Sequence, residues 1–222
     1  MVYSMCNEFL TEVALSGFAA VNWSADEDLQ NLAEKFGPVL SRHGGKFSQN
    51  LSPRYSNDAP SGTYSAHFGF GEFPLHTDLA MHLMPPRLLL LRSITGASLV
   101  PTLLSDPVSA LSQADQSFLR SAVFHIRGKS RSFLASALRN VRDSILLRWD
   151  PVSMSPAGKR AAFARGILAE AAGATMTEWK WLGRGTVLVV DNWRMLHGRG
   201  LVDCEERRTL ERLFVEEIRE QT

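Results

Sequence analysis

Two histidines and one aspartate in this chain have the residue types of a metal site. His76 and Asp78 stand two residues apart at a position that fits the end of a strand, where alternate side chains share a face. His197 lies far downstream, just after another apolar run. Two imidazoles and one carboxylate arranged facially around a metal leave open coordination positions, and they are a ligand set for non-haem Fe(II). The three residues therefore predict a metal site with room for a reactant.

Two arginines that follow His197 predict an anion subsite beside this metal. Arg208 and Arg212 are four residues apart, and this spacing puts them on one face of a strand or a helix. A guanidinium binds a carboxylate bidentately and stays charged in a partly dry pocket. Residues 205–217 fit a helical period nearly as well as strand alternation, although residue propensity alone favours helix. The spacing does not decide between a helix and a strand, but either element would place the two guanidiniums on the same face.

Length and composition predict a single domain, residues 1–222, without nucleic acid or membrane as a partner. The chain has 222 residues, 45% of them hydrophobic, which suffices for one core and not for two ordinary domains. Its 24 basic and 23 acidic residues nearly cancel, so no long-range field attracts polyanions. The aliphatic run Leu88–Leu91 is far shorter than a membrane span, and the first residues lack the pattern of a signal peptide. We therefore expect a cytoplasmic protein.

Apolar runs bounded by Gly and Pro predict a buried sheet. The predicted strands are 88–94, 122–127, 144–149, 175–181 and 186–190, the last two joined as a hairpin by residues 182–185. Three helices are also predicted. The first follows a capping box of Ser24 and Glu27, the second is short and capped by Ser112, and the third is Ala-rich, opens at Ser155-Pro156 and runs to Ala172.

Residues 41–74 are rich in Gly, Ser, Asn and Pro and poor in aliphatic side chains. This composition favours turns over a packed element. We interpret the segment as a lid or substrate loop over the predicted site.

Several motifs in order resemble the Fe(II)/2-oxoglutarate dioxygenases of the taurine dioxygenase and clavaminate synthase-like superfamily. The resemblance extends from about Leu32 to Val215 and is carried by Phe73-Pro-Leu-His-Thr-Asp78, Pro101-Thr102, Arg148-Trp-Asp-Pro151 and the block from Asp191 to Arg212. It implies a mainly β protein with flanking helices on a double-stranded β-helix core, the jelly roll or cupin-like fold, with iron at one mouth of the barrel. The ambiguous segment near Arg208 then becomes a strand.

The resemblance also implies roles for individual residues. His76, Asp78 and His197 would be the catalytic metal ligands for Fe(II). Arg208, assisted by the hydroxyl of Thr102, would bind 2-oxoglutarate, and O2 would be the second cosubstrate.

Three further positions border the expected mouth of the pocket and are candidate substrate contacts: His67, Phe70 and Glu72. The resemblance implies that Arg212 binds an acidic group of the substrate or supports the cosubstrate. Its alternative is an inward arginine paired to a structural carboxylate such as Asp191 or Glu72.

The implied reaction is oxidation, most simply hydroxylation, of a C–H bond in a small acidic or amino-acid-like metabolite, with release of succinate and CO2. The substrate is a small molecule, either free or carrier-bound, and a homo-oligomer is left open. Two other classes compete with this interpretation. One is a non-catalytic metal-binding barrel that senses a small acid, and the other is a metal-dependent hydrolase that uses the same ligands to activate water.

Overall fold

The computed structural model describes residues 2–41, 45–128 and 131–219, with side chains from Glu8 onward. The helices are α1 (Val2–Ser16), α2 (Leu29–Phe36), α3 (Tyr64–Phe68), α4 (Pro107–Ala110), α5 (Gln113–Ser121) and α6 (Lys159–Ala174). The strands are β1 (Phe18–Asn22), β2 (Gln49–Leu51), β3 (Phe73–His76), β4 (Leu88–Ser93), β5 (Ser98–Ser105), β6 (Val123–Arg127), β7 (Ser132–Ser136), β8 (Leu138–Val141), β9 (Ser144–Leu147), β10 (Met154–Pro156), β11 (Thr177–Trp181), β12 (Thr186–Asp191), β13 (Leu196–Arg199) and β14 (Leu210–Val215).

The largest sheet has the order β1-β12-β4-β14-β2, and each neighbouring pair is antiparallel. All six residues of its central strand β4 are buried, because the sheet is covered on both faces. Leu88 and Leu90 pack with residues of α1 and α2, whereas Leu89 and Leu91 face the other side. The continuous apolar run that predicted this strand is thus explained by two-sided burial.

A second sheet, β11-β5-β13-β3, covers the face of the large sheet opposite the helices. Side chains from both sheets form one cluster, in which Leu89 and Phe214 of the large sheet join Leu104 of β5 and Trp181 of β11. Two antiparallel sheets closed on a shared core, with helices outside, confirm the predicted jelly-roll architecture.

A further layer lies beside the two sheets. The three-stranded sheet β10-β6-β7 and the hairpin β8-β9 pack with α5 and α6 around buried Phe124, Leu138 and Leu168. Leu196 of β13 joins this cluster, which connects the layer to the barrel. None of the helices in the described part of the chain is long and apolar enough to cross a membrane.

The strand predictions are confirmed to within two residues at each end, but the predicted hairpin is wrong. Strand β11 pairs with β5 in the small sheet, whereas β12 pairs with β1 and β4 in the large sheet. Residues 182–185 therefore form a crossing between two sheets. Gly185 has φ +81°, and its backbone approaches the carbonyl of Trp23. The glycine is thus needed for a turn, but the turn does not connect two paired strands.

Two helix starts also differ from prediction. Helix α2 begins at Leu29 and is capped by Asp28, whose carboxylate accepts from the Gln30 N–H, whereas Ser24 only shapes the preceding turn. Helix α6 begins at Lys159, because residues 154–156 are used as strand β10. Ser112 caps α5 as predicted.

The segment from 41 to 74 contains more structure than its composition indicated. Strand β2 pairs with β14 at the edge of the large sheet, α3 follows, and the segment ends inside β3. Residues 42–44 of this predicted lid lie outside the described residues. The ambiguous segment 205–217 contains a strand, β14, in which Leu210 and Phe214 face the small sheet.

Candidate metal centre and anion subsite

Two neighbouring strands bring the predicted histidines together. Strand β13 pairs with β3, and His197 is the direct cross-strand partner of His76. The two imidazole centroids are 4.5 Å apart. Gly198 permits this close pairing, because a Cβ there would lie 2.5 Å from the carbonyl oxygen of Phe73.

Asp78 follows β3 in a turn that Asn192 fixes from the end of β12. The Asn192 amide accepts from the Asp78 N–H at 2.9 Å and donates to the Asp78 carbonyl at 3.1 Å. Arg148 holds the following residues, donating to the carbonyls of Ala80, His82 and Leu83. These contacts fix the backbone that carries Asp78.

The three predicted ligands form one buried cluster. One ligand atom from each of His76, Asp78 and His197 lies within 4.8 Å of the others, and each residue is 7% exposed. Nδ1 of His76 donates to the Pro74 carbonyl at 2.9 Å, so Nε2 of the same ring is left to bind a metal. Nε2 of His197 is 3.3 Å from an oxygen of Asp78. The donor set fits a 2-His-1-carboxylate iron centre.

The electrostatics of the cluster favour the protonation states that metal binding needs. Burial and the neighbouring His197 lower the pKa of His76 to about 4, against smaller opposing effects of Asp78 and the Pro74 carbonyl. Burial alone would raise the pKa of Asp78, but Arg212 and the two imidazoles hold it well below its usual range. A neutral His76 and an ionised Asp78 are therefore present at neutral pH.

Arg212 contacts one of the three predicted metal ligands, Asp78, directly. Its Nη1 donates to both oxygens of Asp78, at 2.9 and 3.0 Å, and its Nη2 donates to Gln49 of β2 at 2.9 Å. The partners named from the sequence as alternatives are not used, since Asp191 pairs with Arg87 and Glu72 is exposed.

Arg208 and Thr102, which the sequence predicted to act together, are in contact. Arg208, in the segment that leads into β14, donates through Nη2 to the Thr102 hydroxyl at 2.9 Å. Trp181 also donates to that hydroxyl, at 3.0 Å. Arg208 is 4% exposed, its Nε has no hydrogen-bond partner, and no ion pair with it occurs among the described residues.

This arrangement is suited to an anion. Burial and the nearby Arg199 lower the pKa of Arg208 to about 10, so the guanidinium remains charged at neutral pH. Since the Thr102 oxygen already accepts two N–H groups, its own proton can be donated. A carboxylate placed here would meet a buried charge and a hydroxyl donor together.

The three predicted substrate contacts lie in the segment that precedes β3. Phe70 is half-buried and lines an open groove with Arg208. His67 and Glu72 are exposed side chains on either side of it. The structure brings Phe70 toward the anion subsite and leaves the other two on the surface.

Sequence reasoning missed three residues that support the site: Tyr64, Trp181 and Asn192. Tyr64 stacks on His76, with ring centroids 4.0 Å apart. Each of these three residues contacts a partner 12 or more positions away in the chain, and no local sequence motif marks any of the three. Asn192 lies in the turn after β12, and its side-chain bonds to the Asp78 backbone join it to the site.

Comparison with known proteins identifies the class of fold. No family model matches the chain, and no curated protein matches it in sequence. Among solved structures, asparagine oxygenase in complex with Fe(II), 2S,3S-3-hydroxyasparagine and succinate is similar with a TM-score of 0.76 and 18% identity, covering 97% of this chain and 79% of that chain.

Two further structures agree. The non-haem iron oxygenase OrfP, in complex with Fe and alpha-ketoglutaric acid, is similar with a TM-score of 0.71 and 22% identity, over 95% of this chain and 79% of that chain. The PvcB protein from Pseudomonas aeruginosa is similar with a TM-score of 0.70 and 18% identity, over 96% and 81%. The chain therefore has the fold of these three solved structures.

Proposed function

We propose that this protein is an Fe(II)- and 2-oxoglutarate-dependent dioxygenase that hydroxylates a C–H bond of a small, amino-acid-like metabolite and releases succinate and CO2. One observation carries the proposal. A buried cluster of His76, Asp78 and His197 occurs in the same barrel as a buried arginine, Arg208, that donates to a hydroxyl and forms no ion pair with any residue the structure describes. A metal hydrolase needs the first feature alone.

In this proposal the three ligands hold Fe(II), which supplies the activation of O2 when bound. Asp78 contributes the negative charge, and Arg212 keeps that carboxylate ionised and oriented. Asn192 fixes the backbone of Asp78, so the ligand does not have to be ordered when the metal binds.

Arg208 and Thr102 are the proposed site for the distal carboxylate of 2-oxoglutarate. The guanidinium is already desolvated and donates to Thr102, so a carboxylate bound here would form a charge-assisted hydrogen bond with a buried charge. Phe70 and the groove it lines would admit the substrate beside the cosubstrate.

The proposed substrate class draws on the similar structures as well as on this site. Asparagine oxygenase is bound to hydroxyasparagine, and OrfP has been solved with (3S)-hydroxy-L-Arg. We propose Arg212, Phe70, Glu72 and His67 as substrate contacts, with Arg212 facing an acidic group. The groove is open, so the screen for substrates includes carrier-bound as well as free amino acids.

The first test is an anaerobic titration of metal-free protein with Fe(II) and 2-oxoglutarate, in which the visible metal-to-cosubstrate charge-transfer band is followed. We expect the band in the wild type and not in His76→Ala. Aerobic release of succinate then separates an oxygenase from a hydrolase or a non-catalytic barrel. A folded wild-type protein that gives no band would contradict the proposal.

We also propose that residues 41–74 act as the lid. Two contacts of this segment support the role. Strand β2 pairs with β14, which carries Arg212, and Tyr64 of α3 stacks on the proposed metal ligand His76. Amide hydrogen exchange in residues 63–71 should slow when the substrate joins the Fe(II) complex. Exchange that is the same with and without substrate would count against a lid.

A further inference from the structure

A tyrosine in the proposed lid is stacked on one of the metal ligands. The ring of Tyr64, the first residue of α3, lies 4.0 Å from the ring of His76, and the two planes are only 22° apart. His197 approaches the same imidazole at 46°. The position of the His76 ring is therefore bounded by an aromatic face as well as by its metal-ligand neighbour.

The tyrosine is itself held at its far end. Its hydroxyl donates to Asp150 at 2.7 Å. That carboxylate is buried and is fixed in turn by the Val152 N–H at 2.8 Å and the Ser153 hydroxyl at 2.5 Å. Burial, with Asp150 beside it, raises the pKa of Tyr64 far above its usual value, so the phenol remains a donor.

The residues around α3 keep the ring in place from two other sides. The rings of Phe68 and Phe73 lie 5.6 and 5.5 Å from the Tyr64 ring. Arg199 donates to the carbonyls of Gly69 and Gly71 just after the helix, at 2.6 and 2.7 Å. In this arrangement Tyr64 is held in the position in which it stacks on His76.

The orientation of the imidazole matters because a metal bond is directional. The hydrogen bond from Nδ1 to Pro74 fixes one atom of the His76 ring, but a ring held at one atom can still tilt. A stacked neighbour removes this tilt and so directs the Nε2 lone pair at the metal. Groups that orient a ligand in this way commonly change metal affinity by about 10- to 100-fold.

We propose that Tyr64 is a positioning residue: its ring fixes the plane of His76 and thereby sets the affinity and ligand geometry of the proposed Fe(II) centre. This inference rests on the proposed function, because it requires the metal to bind at His76. It also gives the lid a direct physical connection to the metal, since α3 cannot leave its place without uncovering a ligand.

Two substitutions and one matched control test this role. Tyr64→Phe keeps the ring and removes only the bond to Asp150, whereas Tyr64→Leu keeps apolar volume and removes the flat ring. Tyr55→Leu is the control, because Tyr55 lies in the same segment and is 63% exposed. Fe(II) affinity is measured anaerobically, and the visible spectrum of the Co(II) form reports ligand geometry. Urea unfolding of each metal-free variant shows whether it is folded.

We expect Tyr64→Leu to bind Fe(II) about 10-fold more weakly and to change the Co(II) spectrum. The Fe(II) affinities of Tyr64→Phe and Tyr55→Leu should remain within about twofold of the wild-type affinity. Wild-type affinity and spectrum in Tyr64→Leu would overturn the proposal, and so would an equal loss in the Phe variant. If Tyr64→Leu does not fold, Tyr64→Met takes its place. Failure of the wild type itself to bind Fe(II) would instead overturn the proposed function.

Discussion

Arg208 differs in its partners from Arg92 and Arg148, two other buried arginines. Arg92 pairs with Glu211, and Arg148 donates to three backbone carbonyls, so both guanidiniums are satisfied within the protein. Within the described part of the chain, Arg208 has one hydrogen bond, to the neutral hydroxyl of Thr102. A buried charge with so few partners is costly for folding, which is the physical reason to expect a ligand there.

Replacing this arginine should mainly affect the cosubstrate. Arg208→Ala is expected to raise the 2-oxoglutarate concentration needed for half-saturation by more than about 100-fold, because breaking one side of a buried ion pair costs roughly 3 to 5 kcal/mol. The charge-transfer band followed against 2-oxoglutarate measures this change. Arg165→Ala, at an exposed position of α6 away from the groove, is the control. An unchanged requirement in Arg208→Ala would move the carboxylate site elsewhere.

Arg212, unlike Arg208, already has a carboxylate partner within the protein, because it donates to both oxygens of Asp78. Arg212→Gln removes the charge that keeps the Asp78 pKa low, so we expect about 10-fold weaker Fe(II) binding, with a greater loss at pH 6 than at pH 7. Arg212→Lys keeps the charge and should lose less. If both variants bind Fe(II) normally and only the KM for substrate rises, Arg212 serves the substrate and not the ligand.

The sequence could supply the ligands and the arginines because they stand in ordered motifs with fixed spacings. It could not supply Tyr64 or Trp181, since each contacts the site only through a partner far away in the chain. A tyrosine at the start of a short helix and a tryptophan at the end of a strand can serve many different roles. Only the closed fold shows which one applies.

At the scale of elements, the pairing of β13 with β3 creates the metal site. It makes His197 and His76 direct partners, and Gly198 is the residue that lets the two backbones approach. The sequence did not show this use of Gly198. Local patterns likewise gave the wrong partner for β11, because residues 182–185 carry turn chemistry whether they connect a hairpin or cross between sheets. Patterns along the chain predict strands better than they predict the partners of strands.

Gly198→Ala should therefore damage the site without touching a ligand. The new Cβ would meet the Phe73 carbonyl at 2.5 Å, and relieving this contact must separate β13 from β3. We expect a loss of roughly 1 to 3 kcal/mol in unfolding free energy and weaker Fe(II) binding. Urea unfolding and metal titration measure the two effects.

Gly166→Ala provides the control for that experiment. Gly166 lies in the middle of α6, and nothing stands within 4 Å of a Cβ placed there. The helix should gain about 0.5 to 1 kcal/mol, because alanine loses less conformational entropy than glycine. Equal stability of the Gly198 and Gly166 variants would show that the β13–β3 approach is not tight.

Across the whole molecule, the site belongs to both sheets of the barrel. The histidines and Thr102 come from the small sheet, whereas Arg212 comes from the large sheet and Arg208 from the segment leading into it. Composition and periodicity predicted strands and a single core, but the barrel itself came from the resemblance of ordered motifs. Hydrophobic patterns show which faces are buried and not which sheets close on each other.

This burial of titratable ligands should make the metal-free protein sensitive to acid. In the folded state the pKa of His76 is about 4, whereas an unfolded histidine has a pKa of about 6.5. Between these values the unfolded chain binds a proton that the folded chain does not. The unfolding free energy therefore falls as the pH decreases through this window, by at most about 1.4 kcal/mol per pH unit from this group.

Asp78 contributes in a lower range, because its folded pKa lies below its ordinary value and its stabilisation is lost only as the pH falls below about 4. The two ligands can thus be distinguished. Urea unfolding of the metal-free protein from pH 7 to pH 4.5 should give a clear slope in the wild type and a shallower slope in His76→Gln, which has no imidazole to protonate. Parallel curves would mean that His76 titrates in the folded protein as it does in the unfolded chain, and that the metal site is open to water.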